Sequence, residues 1–586
     1  MPLFIIVFFA KINMYLQLLK RHWAGVVFAF LIGLSVIAPQ LIWRTDARYQ
    51  GIDLMGLDAE EHYTARVNEI YKGNFGLGNT FLPDKDKPYL QAPLGEMIQA
   101  AFGRALFLNV ENGIVAAKFF FPFLMTLIIY ALTFTVSRSR IAALVGSASA
   151  MLGYLLMSSI GPWLDLIHNK LPVGSYTIFA RPINPQISSF IMFVALFIFY
   201  RAFFVREKPL WWEVGVVGVL AGISLYISPY TFSFLGGVIG LSCLWFLYKK
   251  QFAHALRAAV AGVVALITLF HFVINYFALH ASPDFAGLAA RQGLVPDAQP
   301  IISIWLVLML AAVLLVWPKR YVQARPFFII MIASLWILTD QNILTGLVLH
   351  PSHYHWYITK PLLGIMIGMY VACILHFLFK NQRYVRVGLV AAILFVLFYT
   401  SPLLHPIWYK NNPDPPVVVA QAYAPILNEL SKLPQTENVW ANSDLSLYVS
   451  IYTRHNALNN PYAAYYLNPQ SFYENISFLS YRFAGETPLT ILNALKRDRT
   501  TVSERIFGVF YRQTKGSLAN IPDNVLAELA EKYKVFYARP YPDVLKEIGA
   551  TIVVAPISER TKYDSIQSLR TMSTAGDFIL YSVVTQ

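Results

Sequence analysis

Residues 24–43 read AGVVFAFLIGLSVIAPQLIW, twenty positions without a charged side chain. An α-helix rises about 1.5 Å per residue, so a run of this length spans the roughly 30 Å hydrocarbon core of a membrane. Similar runs recur over the first 400 positions of the 586-residue chain, which is 56% hydrophobic and has a mean hydropathy of +0.51. These features predict a polytopic α-helical membrane protein.

The apolar runs predict about eleven transmembrane helices, all within residues 1–402. They lie near residues 24–43, 114–136, 141–160, 185–204, 211–228, 231–248, 258–278, 299–317, 326–339, 361–379 and 386–402. Both cysteines of the chain fall inside these runs, so no disulfide framework is predicted.

The sequence changes character at HPIWYKNNPDPP, residues 405–416, a polar stretch rich in proline. Beyond it, amphipathic helical patterns alternate with short β-like runs, which predicts a soluble α/β domain over residues 403–586. The helical patterns cover 418–433, 523–534 and 542–548, and the β-like runs are ENVWAN, YKVFYA, ATIVVAP and FILYSVV.

Basic residues alternate between the connections that join the predicted spans. One set of connections holds Lys20, Arg21, Arg138, Arg140, Arg201, Arg206, Lys208, Lys249, Lys250, Arg257, Lys319, Arg320, Arg325, Lys380, Arg383 and Arg386. The other short connections hold Lys170, Arg181, Arg291 and Lys360. Lysine and arginine accumulate on the cytoplasmic side of membrane proteins. The pattern therefore predicts a plasma (inner) membrane protein with a cytoplasmic N-terminus and an extracytoplasmic C-terminal domain.

The same distribution explains the formal charge of +14 without a nucleic-acid partner, because the basic residues lie in short clusters between apolar runs. Membrane lipids are the partners that this arrangement predicts. Three larger connections are predicted to face outward, at residues 44–113, 161–184 and 340–360.

The first outward loop contains GLDAEEHYTARVNEIYKG, residues 56–73, where charged side chains crowd although they form only 13% of the chain. Its apolar residues recur at helical spacing and Gly73 suits a helix end, which predicts an amphipathic helix along the outer membrane surface. Asp58 is typical of an N-cap, with Glu61 completing a capping box. A carboxylate here could equally serve as a general base, and Glu60 and Glu61 compete with Asp58 for that role.

This arrangement resembles the GT-C class of membrane glycosyltransferases, which includes protein O-mannosyltransferases, oligosaccharyltransferases and the lipid A aminoarabinose transferase. The resemblance covers the topology of about the first 400 residues. Its motif is LDAEEHYTARVNEIYKG, continued by NTFLPDKDKPYLQAPLGEMIQAAFG at residues 79–103. Several families carry adjacent acids four and three positions before the aromatic residue, here Tyr63, whereas this chain has Ala59 at the first of these positions.

The resemblance implies a sugar donor carried on a polyprenyl phosphate and a lipid, glycan or protein acceptor. It also implies that an acid of the first outward loop, with Asp58 as the matching residue, is the catalytic base. Tyr63 would contact substrate. Some members of the class use a divalent metal, so Mg²⁺ or Mn²⁺ stays open as a cofactor.

The second outward loop reads GPWLDLIHNKLPVGSYTIFARPINPQ, residues 161–186. Arg181 precedes a span directly and could clamp a lipid-linked phosphate, with Lys170 as a second cation. A snorkelling arginine that contacts lipid head groups is the competing interpretation. His168 could contact substrate, and Asp165 with His168, three positions apart, is a weak metal-ligand pair.

The third outward loop reads TDQNILTGLVLHPSHYHWYITKP, residues 339–361. His353 and Lys360 are predicted to bind the donor phosphate, and Asn342 and His355 to bind substrate. An extended segment would direct His353 and His355 to one face, as zinc requires, but no acidic or cysteine partner follows at the usual spacing. Simple anchoring at the membrane interface is the competing interpretation.

The segment LSLYVSIYTRHNALNNPYAAYYL, residues 445–467, is rich in tyrosine and asparagine. Such residues suit sugar recognition, and they equally suit a domain core with turns. Taken together, the sequence predicts a glycosyltransferase that moves a sugar from a polyprenyl phosphate, with inversion at the sugar carbon. A transporter or flippase for a lipid-linked substrate, or a non-catalytic scaffold with a sugar-binding tail, are the alternatives.

Overall fold

The computed structural model describes residues 2–55, 59–154, 156–157, 161–168, 178–399 and 416–584. Its first eighteen helices are α1 Pro2–Arg44, α2 Glu60–Lys72, α3 Leu94–Ala105, α4 Val110–Ser137, α5 Arg140–Leu152, α6 Gly161–Ile167, α7 Gln186–Tyr200, α8 Trp211–Ser224, α9 Pro229–Tyr248, α10 Phe252–Thr268, α11 Phe270–His280, α12 Phe285–Arg291, α13 Ile304–Leu315, α14 Arg325–Thr339, α15 Asn342–Thr345, α16 Pro351–Tyr354, α17 Lys360–Leu378 and α18 Arg383–Tyr399. A short strand pair, β1 Val295–Pro296 and β2 Leu347–Val348, lies among them.

Helices long and apolar enough to cross a membrane identify the chain as an integral membrane protein. There are six in the described part of the chain, or seven if the pair α10 and α11, bent by 49°, forms one broken span. The six are Lys20–Arg44, Val110–Ser137, Gln186–Val205, Pro229–Tyr248, Lys319–Thr345 and Pro351–Leu378. Each of the eleven predicted spans falls on a helix, although several of these helices are shorter, so the number of crossings stays a prediction.

Helices α5 and α17 cross at glycines, which brings their backbones together. A Cβ added at Gly368 would collide with the backbone of Gly146, and one at Gly364 with that of Ala150. Small residues allow this close approach between membrane helices. The crossing fixes the first turn of α17, which carries Lys360, beside the residues that follow α5.

Residues 416–584 contain a five-stranded mixed sheet with helices packed against it. The strand order is β4-β3-β5-β7-β6; β3 is parallel to β4 and β5, and β7 is antiparallel to β5 and β6. The elements are α19 Pro416–Ala420, α20 Ala424–Ser431, β3 Asn438–Trp440, α21 Ser443–Tyr452, β4 Asn456–Ala457, α22 Gln470–Phe483, α23 Ile491–Arg497, α24 Arg499–Val502, α25 Phe510–Lys515, α26 Asp523–Tyr537, α27 Tyr541–Glu547, β5 Ile552–Pro556, α28 Arg560–Asp564, β6 Leu569–Ala575 and β7 Phe578–Val583.

Three of the four predicted β-like runs contain strands of this sheet, but YKVFYA does not. It forms the end of α26, because Leu526, Leu529, Tyr533 and Phe536 repeat at helical spacing and are all buried. The predicted boundary between the two domains, at residues 402 and 403, lies outside the described residues.

Helix α2 is enclosed by protein, which differs from the predicted surface helix. Its buried residues include Glu60, Arg66 and Glu69 as well as Val67 and Ile70, so burial extends around the helix. The helix contacts α3, α4 and α21. The prediction was wrong because the polar residues of α2 face partners in other segments and not water.

The first and third of the connections predicted to face outward contact residues 416–584. The side chain of Gln421 forms hydrogen bonds with the backbone of Ile52 in the first loop. In the third loop, His350 Nε2–H donates to the Gln292 carbonyl over 2.8 Å, while Gln513 Nε2 donates to His350 Nδ1 over 2.6 Å. These contacts join the loops to the C-terminal residues.

Candidate functional site

Arg181 joins the three outward loops. Its Nη2 donates to the hydroxyl of Tyr357 over 2.7 Å, and its Nε donates to the carbonyl of Asn184 over 2.6 Å. Its guanidinium carbon lies 5.4 Å from the ring centre of Tyr63 and 5.6 Å from that of Tyr357, within cation–π range. Tyr63, Arg181 and Tyr357 belong to the first, second and third loop, so sequence-distant segments converge at one cation.

Aromatic rings extend this centre into the third loop. The ring of His353 lies nearly parallel to that of Tyr357, 5.1 Å away, and 4.5 Å from the ring of Tyr230. Among the described residues, the buried Nδ1 of His353 has no hydrogen-bond partner. Residues 351–359 are helical, so His353 and His355 do not share a face as the extended interpretation required.

Lys360 lies one turn beyond Tyr357 and is 1% exposed. Its Nζ donates to the carbonyl of Tyr154 over 3.3 Å. The same atom lies 3.3 Å from the ring centre of Trp356 and 4.2 Å from that of Tyr154. The two rings hold the ammonium group about one helical turn along the chain from Tyr357, which contacts Arg181.

The predicted acids occupy different environments. Glu60 forms an ion pair with Lys118 of α4, and both side chains are 1% exposed. Glu61 is half-buried in the first turn of α2. Asp58 lies outside the described residues. Helix α2 begins at Glu60 after Ala59, whose φ of 59° is left-handed, so the capping box predicted from Asp58 is not formed as expected.

A buried polar cluster connects α2 with the C-terminal residues through the hydroxyl of Tyr466. This oxygen lies 2.8 Å from His62 Nε2 and 2.6 Å from Thr80 Oγ1, and it accepts from Arg66 Nη1 over 3.3 Å. Arg66 also donates to Glu96 over 2.5 Å. Burial, with the nearby charges of Arg66 and Arg181, lowers the pKa of His62 well below its ordinary value.

Three other predicted site residues contact other parts of the chain. Asn342 is buried and donates to the carbonyl of Gln299 over 2.7 Å. His355 packs edge-on against Trp356, with ring centres 5.1 Å apart. His168 is exposed on the turn after α6, where its Nδ1 contacts the carbonyl of Leu164. Lys170 lies outside the described residues.

The geometry around α6 gives little support to a metal at the predicted pair. Asp165 and His168 are both exposed, and metal sites are usually completed by further ligands. Within the described ranges, no group of three or more histidine, cysteine, aspartate or glutamate side chains is placed to hold a metal ion. Metal dependence stays a prediction.

A large apolar cavity is open at the surface of the helical bundle, where its lining residues Leu244, Val263 and Leu266 are exposed. It has a volume of about 700 Å³ and is lined by residues of α9, α10 and α14, including Phe232, Gly236, Val263 and Leu338. Phe232 is two residues beyond Tyr230, whose ring contacts His353. The apolar lining of this cavity suits a hydrocarbon chain.

Sequence patterns missed several residues of this site. Lys118 had a usable signal, since it is a lone charge inside the predicted span 114–136, and intramembrane ionisable residues are often functional or paired. Tyr154, Trp356 and Tyr357 carried no signal that separates them from interfacial aromatics. Tyr466 could be assigned only from contacts with α2, more than 380 positions away.

Comparison with known proteins gives distant structural likenesses. No family model and no curated protein matches the chain. An apo oligosaccharyltransferase from Archaeoglobus fulgidus is similar, with 13% identity over 92% of this chain and 70% of that one and a TM-score of 0.43. ArnT from Cupriavidus metallidurans bound to undecaprenyl phosphate has 11% identity, 96% and 98% coverage, and a TM-score of 0.43.

ArnT in the apo state is similar as well, at 11% identity and a TM-score of 0.35, over 98% of this chain and 99% of that one. Oligosaccharyltransferases are among the enzymes that the sequence resemblance named. TM-scores below 0.5 describe a distant likeness only.

Proposed function

We propose that this protein is a membrane glycosyltransferase that moves a sugar from a polyprenyl-phosphate donor to an acceptor on the extracytoplasmic side. The observation that carries the proposal is the convergence of the three loops on Arg181, with Lys360 and His353 nearby. A phosphate that leaves the anomeric carbon gains negative charge, and preorganised cations in a largely buried site stabilise it strongly.

The apolar cavity beside α9 supports a donor carried on a hydrocarbon chain. A polyprenyl tail could occupy this cavity of about 700 Å³ while its phosphate lies at Arg181. A lipid-linked donor also needs no nucleotide, and within the described part of the chain we find no glycine-rich phosphate loop that would bind one.

In the proposed reaction the acceptor oxygen attacks the anomeric carbon while the bond from that carbon to the phosphate oxygen breaks. The electron pair of this bond leaves with the phosphate, and a carboxylate of the first loop takes the acceptor proton. Direct displacement inverts the configuration at the sugar carbon. Asp58, Glu60 and Glu61 are the candidates for this base, and Glu60 would have to accept the proton from within its ion pair with Lys118.

Native mass spectrometry of the full-length protein in lipid nanodiscs tests the donor. We expect bound undecaprenyl phosphate with the wild type and at least about tenfold weaker binding with Arg181→Gln, because a charge-assisted phosphate contact is lost. Arg454→Gln is the matched control, since Arg454 is exposed and donates only to the Pro434 carbonyl among described contacts. Equal binding by the wild type and Arg181→Gln would contradict the proposed phosphate site.

Turnover separates an enzyme from a transporter. With radiolabelled sugar on a polyprenyl phosphate, Asp58→Asn, Glu60→Gln and Glu61→Gln are tested singly. We expect one of them to lose transfer by at least about a hundredfold while donor binding persists, because general-base catalysis supplies a factor of this order. Movement of the lipid between leaflets without sugar transfer would favour the flippase alternative.

A further inference from the structure

A line of aromatic rings continues from Arg181 towards the C-terminal residues. Tyr63, which faces Arg181, lies nearly parallel to the ring of His62 at 5.7 Å. The ring of Tyr462 stacks on that of His62, with ring centres 5.1 Å apart and an interplanar angle of 13°. Tyr465 lies 6.1 Å from Tyr462. The rings of the C-terminal segment are therefore continuous with the candidate site.

The turn that carries these two tyrosines is held firmly from several directions. Asn460 caps it by accepting from the backbone N–H of Tyr462 over 2.9 Å. Arg291 of α12 donates to the carbonyl of Ala464 over 2.9 Å and to that of Tyr466 over 3.3 Å. The Tyr466 hydroxyl enters the buried cluster with His62. Rigid support of this kind is typical of side chains that must be presented precisely.

Exposure differs between neighbouring residues of the turn. Ala463, Ala464 and Tyr466 are buried, whereas Tyr462 and Tyr465 are half-buried. A buried arginine, 2% exposed, is committed to holding this backbone, although a buried guanidinium is costly unless fully hydrogen-bonded. The turn thus keeps two half-buried rings at the end of the row that begins at Arg181.

We propose that Tyr462 and Tyr465 form a subsite for a pyranose ring of the acceptor, so that the acceptor is a carbohydrate. This inference rests on the proposed glycosyltransferase function. A pyranose has an apolar C–H face with hydroxyls at its edge, and tyrosine offers a flat apolar ring with a polar tip. Along this row of rings the subsite follows Tyr63 and His62 from Arg181, so a sugar bound there occupies a different position from the donor phosphate.

Saturation-transfer-difference NMR on the full-length protein tests the subsite, in nanodiscs prepared without sugar-based detergent. The probes are methyl glycosides of glucose, mannose and galactose at millimolar concentration. Tyr462→Ala/Tyr465→Ala removes both rings, and Tyr462→Phe/Tyr465→Phe keeps the ring faces. Tyr537→Ala is the matched control, because Tyr537 is a half-buried tyrosine of α26 on the C-terminal sheet domain.

We expect saturation transfer from at least one glycoside to the wild type, with an apparent Kd raised about tenfold in the double alanine variant. The double phenylalanine variant and Tyr537→Ala should stay within about threefold of the wild type. Two results overturn the proposal: no transfer from any glycoside to the wild type, or equal transfer to the wild type and the double alanine variant.

A competition arm distinguishes the acceptor sugar from the sugar of the donor. The competitors are farnesyl phosphate and farnesyl phosphate that carries the same pyranose as the bound probe. Neither should displace the probe if the subsite takes the acceptor, whereas displacement by the glycosylated form alone overturns that assignment. Donor binding by Arg181→Gln is measured in parallel, so failure of the phosphate site and failure of the tyrosine subsite give different results.

Discussion

At the scale of single residues, His62 is held as a neutral imidazole inside the protein. Burial, together with the charges of Arg66 and Arg181, lowers its pKa well below the ordinary value of 6.5. The unfolded chain titrates near that ordinary value. At a pH between the pKa of His62 in the folded protein and its pKa in the unfolded chain, the unfolded chain binds a proton at His62 and the folded protein does not. The contribution of His62 to stability is therefore complete above about pH 6.5 and falls as the pH drops.

We therefore expect acid to destabilise the wild type more than His62→Gln. The loss of unfolding free energy in the wild type should exceed that in His62→Gln by about 1.4 kcal/mol more for each pH unit below about 6, until the pH reaches the pKa of His62 in the folded protein. Thermal unfolding in nanodiscs at pH 7.5, 6 and 5 measures it. His168→Gln is the control, because His168 is exposed and should leave the pH slope unchanged. An identical slope for the wild type and His62→Gln would mean that the buried imidazole accepts the proton.

At the scale of one element, the local sequence pattern of α2 predicted the helix but not its surroundings. The spacing of apolar residues predicted the helix, and its end at Gly73 is confirmed, with a φ of 96° and its N–H bonded to the carbonyls of Glu69 and Ile70. The burial of α2 was not predictable. Its charged residues pair with distant ones, as Arg66 does with Glu96, and a pattern alone assigns charges to a solvated face.

The ion pair between Glu60 and Lys118 fastens the first turn of α2 to α4. The loss of stability should depend on whether one charge of this pair or both charges are removed. Glu60→Gln alone leaves a buried ammonium, which we expect to cost about 3–5 kcal/mol of unfolding free energy. Glu60→Gln/Lys118→Met removes both charges and should recover most of that loss. Denaturant unfolding in nanodiscs compares the two variants.

The exposed pair Glu429–Lys432 provides the control for this comparison. Lys432→Met should change stability by less than about 1 kcal/mol, because surface ion pairs contribute little. If the double variant at Glu60 and Lys118 is as unstable as Glu60→Gln alone, charge pairing is not what holds α2 against α4.

At the scale of the whole molecule, the charge pattern anticipated which connections belong together. Tyr63, Arg181 and Tyr357 come from the three loops predicted to share one side, and the structure brings them into contact. The pattern could not indicate which side chains meet there, because these contacts join residues more than 100 positions apart. The charge pattern also could not show that Asn342 is not part of the Arg181 centre. Asn342 donates to the carbonyl of Gln299, and a polar residue after an apolar run gives the same sequence pattern whether it contacts a site or a backbone carbonyl.

The absolute orientation of the molecule is open to a direct experiment. Helix α17 has Lys360 at one end and Leu378 at the other, about 27 Å apart along its axis, so Asn381 lies at the end remote from the site. Cys243 and Cys373 are first replaced by alanine, and single cysteines are then introduced as Leu489→Cys and Asn381→Cys, both at exposed positions.

In intact cells a membrane-impermeant maleimide should label Leu489→Cys, whereas Asn381→Cys should react only after the membrane is permeabilised. The reason is that the basic residues flanking Asn381, namely Lys380, Arg383 and Arg386, favour the cytoplasmic side. The reverse result would place Arg181, Lys360 and the acids of α2 on the cytoplasmic side. A nucleotide-linked donor is accessible on that side, so the argument for a polyprenyl-phosphate donor would lose its main physical reason.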